Sequence, residues 1–239
     1  MIILALDSSG LVASVAIANE EALLAEYTIN YKKTHSQTLL PMLDEIARMV
    51  DLDLSNIDAI AVSAGPGSFT GLRIGSATAK GLGLAMNKPI ISVPTVDSLA
   101  YNLYGTDKLV CPIMDARRDQ VYTGLYEFIG DKLSIISSQK AVSIDEIIDE
   151  INKIGRETVF LGDAVPIQRD RIKETIKVAY TFAPIHMNRQ RAGSTAALAI
   201  EYYKMGQVEP AAEHKPIYLR MSQAERERAE RLRREEKGD

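Results

Sequence analysis

The residues best suited to chemistry lie in the stretch Ser63-Ala64-Gly65-Pro66-Gly67-Ser68-Phe69-Thr70-Gly71-Leu72-Arg73-Ile74-Gly75. An apolar run leads through a Gly/Pro turn into a helix-forming segment, the arrangement that aims backbone amides at an anion. It is not a Walker loop, because no Gly-Lys-Ser/Thr follows. It is not a dinucleotide fingerprint either, because Thr70 stands where the last glycine belongs. Asp7 ends another apolar run and precedes Ser8-Ser9-Gly10. Two readings stay open for it: a carboxylate holding a metal–phosphate complex, or a cap on its own turn. His35, His186 and His214 are far apart in the chain and form neither HExxH nor His-x3-His. No Gly-x-Ser-x-Gly elbow presents a serine nucleophile, and Cys111 falls in an apolar run that reads as core. These residues describe a phosphate-fold scaffold that lacks most of an active site.

The elements that must position them repeat. Ile2–Leu6, Leu11–Ala18 and Leu23–Ile29 read as a β-meander, with turns at Asp7–Gly10 and Asn19–Glu21. Leu109–Met114, Gln120–Phe128 and Leu133–Ser137 read the same way, so Asp115 mirrors Asp7. After the first triplet come helices near Ser36–Val50, Thr70–Met86 and Thr95–Tyr104, with strands at Ile57–Ser63 and Ile90–Val93. After the second, Ser143 and Glu146 form a capping box for a helix ending at Gly155, and Thr158–Leu161 is a strand. The pattern predicts an α/β chain of two βββαβα lobes in tandem, over residues 1–104 and 105–219.

Two helices carry surplus features. Leu39, Leu43, Ile46 and Val50 form one stripe, widened by Leu40, Met42, Ala47 and Met49. A helix apolar over so much of its circumference is buried on two sides. The second side is either a neighbour in the same lobe or a partner. In the next helix Gly71, Gly75, Ala79 and Gly83 recur every four residues. Such a stripe costs about 1 kcal/mol per glycine, which close approach of another backbone would offset.

Composition narrows the class. With 239 residues, 46% hydrophobic and 25% charged, the chain can build a core without staples. A single cysteine permits no internal disulfide and fits a reducing compartment. The opening Met1-Ile2-Ile3-Leu4 lacks an export signal, and no apolar run is long enough to span a bilayer. The expectation is a cytoplasmic protein with no membrane contact. A net charge of −4 excludes whole-molecule electrostatic binding of nucleic acid. The segment 220–239 carries seven Lys/Arg against six Asp/Glu, with a candidate capping box at Ser222 and Glu225. It reads as a charged helical tail.

Several segments resemble one family. Ile3-Leu4-Ala5-Leu6-Asp7-Ser8-Ser9 is similar to its opening strand and turn, and His35-Ser36-Gln37-Thr38-Leu39-Leu40-Pro41 to its first-helix motif. Gly65–Gly75 matches its most specific signature, and Pro216-Ile217-Tyr218-Leu219-Arg220 its C-terminal one. The family is TsaB (YeaZ), the bacterial accessory subunit of tRNA threonylcarbamoyladenosine synthesis. The resemblance implies the duplicated actin/Hsp70/sugar-kinase-like (ribonuclease H-like) fold. It also implies a non-catalytic role. The paralogous subunit TsaD transfers the threonylcarbamoyl group to the adenosine beside the anticodon, TsaB binds and activates TsaD, and the ATPase TsaE joins them. The catalytic paralogue carries a His-x3-His metal motif where this chain has Thr95 and Leu99. By the same resemblance, the partner-binding surface is built from the first two N-terminal helices, with Leu39, Leu43, Ile46, Leu72 and Gly75 contributing. The same surface forms a homodimer when TsaD is absent. Asp7, Ser8 and Ser9 are then candidates for ATP/ADP contact at the heterodimer interface. No metal or tightly held cofactor is expected in the isolated chain, and tRNA is reached through the complex. The rival reading is an ATP-dependent small-molecule kinase of the same fold class; it would need a second phosphate motif and an adenosine pocket in the second half, where Gly162-Asp163-Ala164 offers only a weak candidate for the former.

Overall fold

A computed structural model gives the protein's structure over residues 1–31 and 35–220. The charged tail anticipated for 220–239 therefore lies, beyond its first residue, outside the described residues. Strands β1 (Ile2–Asp7), β2 (Ala13–Asn19) and β3 (Leu23–Ile29) form the first meander. Helix α1 (His35–Met49), β4 (Ala59–Gly65), α2 (Phe69–Met86), β5 (Ile90–Pro94) and α3 (Thr95–Tyr101) follow. The second half repeats the series as β6 (Leu109–Asp115), β7 (Gln120–Ile129), β8 (Lys132–Ser143), α4 (Ile144–Ile154), β9 (Thr158–Leu161), α5 (Val165–Thr175), β10 (Tyr180–Phe182) and α6 (Ala192–Lys204).

The two sheets share one topology. The first runs β3-β2-β1-β4-β5 and the second β8-β7-β6-β9-β10. In each, the meander is antiparallel and the last two strands join in parallel. Each half is thus βββαβαβα. The sequence pattern predicts the second unit only as far as β9; α5, β10 and α6 complete it.

The period of two along a strand assigns each face its helices. Leu4 and Leu6 of β1 face α1 and α2, packing with Leu39, Leu43, Ile46 and Ala79. Ile3 and Ala5 face the other way, onto Ala192, Ala196 and Ala199 of α6. In β6, Leu109, Cys111 and Ile113 meet α4 and α5, while Val110 and Met114 meet Val96 and Leu99 of α3. The last helix of each half therefore packs on the sheet of the other. The chain after α6 also returns to the first half: Ile90 and Glu209 bridge, and Ile217 N–H donates to Ala64 O at 2.7 Å. Residues 192–218, read from the sequence as part of the second lobe, lie largely against the first sheet. Among the described residues no helix is long and apolar enough to cross a membrane.

Candidate functional site: the cleft between the duplicated hairpins

The first wall of the cleft is a stitched junction of turn and helix. Ser68 caps α2, its Oγ accepting from Gly71 N at 3.3 Å. Ser68 N–H donates to Ser9 O at 2.7 Å, and Ser8 Oγ donates to Gly71 O at 2.8 Å. Glycine makes this possible. A Cβ on Gly67 would sit 2.2 Å from Ser9 O, and one on Gly71 2.0 Å from Ser8 O. Gly75 and Gly83 continue the stripe against Ser8 Oγ and Ala211. The small-residue stripe is thus filled from within the chain: the backbone it admits is that of the Asp7–Gly10 turn.

Asp7 lies beneath this junction and is fully buried. Its Oδ1 accepts from Ser9 N at 2.9 Å and Ser9 Oγ at 2.7 Å, and its Oδ2 from Ser63 Oγ at 2.6 Å. Burial pushes its pKa up, and the serine hydrogen bonds pull the other way. The carboxylate therefore holds the turn in register. His35 closes the rim, with its Nε2 2.9 Å from Gly10 O.

The second wall is the mirror hairpin after β6. Asp115 N–H donates to Asp163 Oδ1 at 2.9 Å, and Asp115 Oδ1 accepts from Arg117 N at 2.8 Å. Burial raises the Asp163 carboxyl, while the Asp115 N–H and the Arg189 charge oppose that rise. Arg117, Arg118 and Asp119 follow one another in left-handed backbone, with φ of 63°, 56° and 55°. Such residues cost about 1–3 kcal/mol each, so the hairpin is held by its surroundings. Between the walls lies a cavity of about 560 Å³, bordered by Ser9, Gly10, Gly67, Thr70, Asp115, Arg117, Asp163 and Arg220. That volume suits a small ligand. Its two arginines are engaged, Arg117 with Asp115 at 3.4 Å and Arg220 with backbone carbonyls.

All three nucleotide candidates are buried: Ser9 borders the cavity, but its Oγ donates inward to Asp7 Oδ1, and Asp7 and Ser8 lie beside it under the turn. The five partner candidates are placed otherwise than expected. Leu39, Leu43, Ile46 and Leu72 are 1–6% exposed and Gly75 is buried, all within the first lobe's own packing. The apolar stripe of α1 is spent on β2, β3 and α2 within this core, so Leu43→Glu would bury a charge rather than probe a surface. The apolar residues these helices leave outside are Leu40, Met49 and Leu84, at 50%, 74% and 60% exposure. With Leu84, the outward face of α2 presents Ala77, Gly81 and Ala85, all exposed and again spaced by four. No atom lies within 4 Å of a Cβ built on Gly81. Spacing alone showed one small-residue stripe, and the helix carries two.

Thr95 is buried with its Oγ1 accepting from Gly65 N at 3.1 Å, and Leu99 is buried in the second lobe's core. Among the described residues no three His, Cys, Asp or Glu side chains converge as a metal site requires. His214, one of three scattered histidines in the sequence, is buried with Nε2 2.9 Å from Ser76 Oγ and Nδ1 2.8 Å from Glu209 Oε1. Ser76 and His214 are 4% and 1% exposed, so this Ser-His-Glu row anchors the C-terminal segment. Its members lie too far apart in the chain for spacing to reveal them.

Two repeated five-stranded units around a cleft define the actin/sugar-kinase-like class. The inorganic polyphosphate/ATP-glucomannokinase of Arthrobacter sp. shares the fold at a TM-score of 0.52 and 12% identity, over 85% of this chain and 99% of that one. Two matches are much nearer. YeaZ from Pseudomonas aeruginosa aligns at a TM-score of 0.75 and 26% identity, over 91% of this chain and all of its own. The tRNA threonylcarbamoyladenosine biosynthesis protein TsaB of Bacillus subtilis is 32% identical over 94% of this chain and 96% of its own length. The family model described as TsaD, tRNA N6-adenosine threonylcarbamoyltransferase, matches residues 22–228. Within that wider group, the chain belongs to the TsaB (YeaZ) family.

Proposed function

We propose that this chain serves tRNA threonylcarbamoyladenosine biosynthesis as a non-catalytic accessory subunit, binding the TsaD transferase and activating it, with the TsaE ATPase joining the pair. The observation that carries this reading is the outer face of α2. Ala77, Gly81, Leu84 and Ala85 lie exposed on it. Small residues at a spacing of four let a partner helix approach closely, and Leu84 supplies apolar area to bury. Leu40 and Met49 of α1 add exposed apolar surface. Alone, the chain pairs with a second copy through the same face.

The chemistry is assigned to the partner. Where the resemblance puts the paralogue's histidine pair, this chain has a hydroxyl engaged by Gly65 and a leucine in the core. Neither replaces an imidazole as a transition-metal ligand. Contact with ATP or ADP, where the two subunits meet, would fall on this side at the Ser9–Gly10 edge of the turn, which borders the cavity although Asp7, Ser8 and Ser9 are all buried. tRNA is engaged through the complex.

The test is reconstituted transfer: TsaD, tRNA and threonylcarbamoyl-adenylate, with and without this chain. Modified adenosine should rise when the two proteins are combined and stay at background with this chain alone. Transfer by this chain alone would overturn the reading.

A further inference from the structure

The two lobes are tied at their base by α3 and α6, each packed on the other half's sheet. At the mouth of the cleft, among the described residues, the stretch 214–220 also ties them. Its upstream end is fixed where His214 meets Ser76 of α2 and Glu209. Its middle lies on the first lobe. Ile217 N–H donates to Ala64 O, and a Cβ on Gly65 would fall 2.2 Å from Ile217 O. The Tyr218 ring stacks on Phe69 with centroids 4.3 Å apart and planes 3° from parallel. Arg73 then donates from Nε to Tyr218 Oη at 3.2 Å.

Two residues later the chain is on the second lobe. Leu219 packs against the core cluster of Val110, Met114 and Tyr122. Arg220 Nη1 donates to Ala116 O and, at 3.2 Å, to Arg117 O. These carbonyls belong to the hairpin that continues in left-handed backbone. Both bonds leave the same nitrogen, whose two N–H groups serve two neighbouring carbonyls.

We propose that residues 214–220 form a strap that holds the cleft at one opening, with Arg220 as its latch. The anchors on the first lobe are a buried histidine, a backbone hydrogen bond and a ring stack. The hold on the second lobe is a leucine and one exposed-side cation on two carbonyls. The weaker end is the latch, so release occurs there. On release the second lobe pivots about α3 and α6, and the Ala116–Asp119 hairpin loses the donors that cap it. Because Arg220 is also part of the cavity border, opening the latch widens the cavity.

The experiment is a pair of spin labels on exposed helix positions of the full chain, Glu45→Cys on α1 and Asp149→Cys on α4. Cys111 is fully buried and leaves the labelling chemistry undisturbed. With the doubly labelled chain diluted in excess unlabelled chain, so that no distance arises between copies, the native strap predicts one narrow interlobe distance by pulsed dipolar spectroscopy. Arg220→Ala should broaden it and shift it outward, and Tyr218→Ala, which frees the strap from Phe69, should do the same. Arg220→Lys keeps the charge and several donors on one nitrogen, but on a shorter side chain, and falls between. Amide exchange over residues 116–120 should accelerate several-fold in Arg220→Ala, with the melting profile of the rest of the chain retained. Distances and exchange unchanged in both Arg220→Ala and Tyr218→Ala would overturn the proposal.

Discussion

Two glycines ten residues apart on one helix should respond to the same substitution with opposite signs. At Gly81 a methyl group meets no atom within 4 Å. Alanine there should stabilise by the helix-propensity difference, about 0.8–1.0 kcal/mol. For a chain of this size that corresponds to a rise of roughly 2–4 °C in melting temperature. At Gly71 the same methyl would lie 2.0 Å from Ser8 O, where ordinary C···O contact begins near about 3.3 Å. The backbone of the Asp7–Gly10 turn would have to yield by more than an ångström. With it would go the Ser8 Oγ to Gly71 O bond and the Ser68 N to Ser9 O bond. Overpacking of this kind costs about 1–3 kcal/mol, which exceeds any propensity gain. Chemical denaturation of Gly71→Ala and Gly81→Ala beside the parent chain reads both. Equal effects of the same sign would show that the inward and outward stripes of α2 have been misassigned.

Burial raises the Asp97 carboxyl above its ordinary 3.8, with Tyr126 and Tyr202 hydroxyls opposing the rise. The folded form then binds that proton more tightly than the unfolded chain. The contribution to stability is full below about pH 4 and is lost as pH climbs through the raised value. Asp97→Asn keeps an acceptor for Tyr126 Oη, now 2.7 Å away, so its unfolding free energy should fall less with pH than that of the parent. A steeper fall, measured by denaturation across a pH series, would contradict this. The Cys111 thiol is fully buried and pushed up to about 12. A thiol-specific chromogenic reagent at pH 8 should therefore label it only as fast as the chain unfolds, and immediate labelling of native protein would refute the burial.

Much of the architecture was legible because it is local. The turn residues after β1 and β6, the Ser143–Glu146 capping box and the apolar strands all declare themselves within a few residues. Strand β8 runs on to Ser143, past the Ser137 end expected from its apolar core, because its mixed second half keeps pairing with β7 beyond an irregularity at Gly124. What stayed hidden was which way a face points. The stripe of Leu39, Leu43 and Ile46 looks the same whether the chain's own elements or a partner cover it, and here β2, β3 and α2 do. Likewise Gly75 announces a close approach without naming the neighbour, which is Ser8. Contacts between distant segments left no trace in spacing. Ser76 with His214 and Phe69 with Tyr218 join residues that only the return of the chain over α2 brings together.

The accessory role requires that the exposed face of α2 receive the transferase. Native mass spectrometry of this chain mixed with TsaD, beside its Leu84→Arg variant, tests that most directly. Leu84 is 60% exposed, so the variant should keep the parent's melting profile. The prediction is a one-to-one complex for the parent, displacing any homodimer, and free subunits for Leu84→Arg. A parent chain that stays apart from TsaD while holding nucleotide by itself would contradict the accessory role and favour the kinase reading instead.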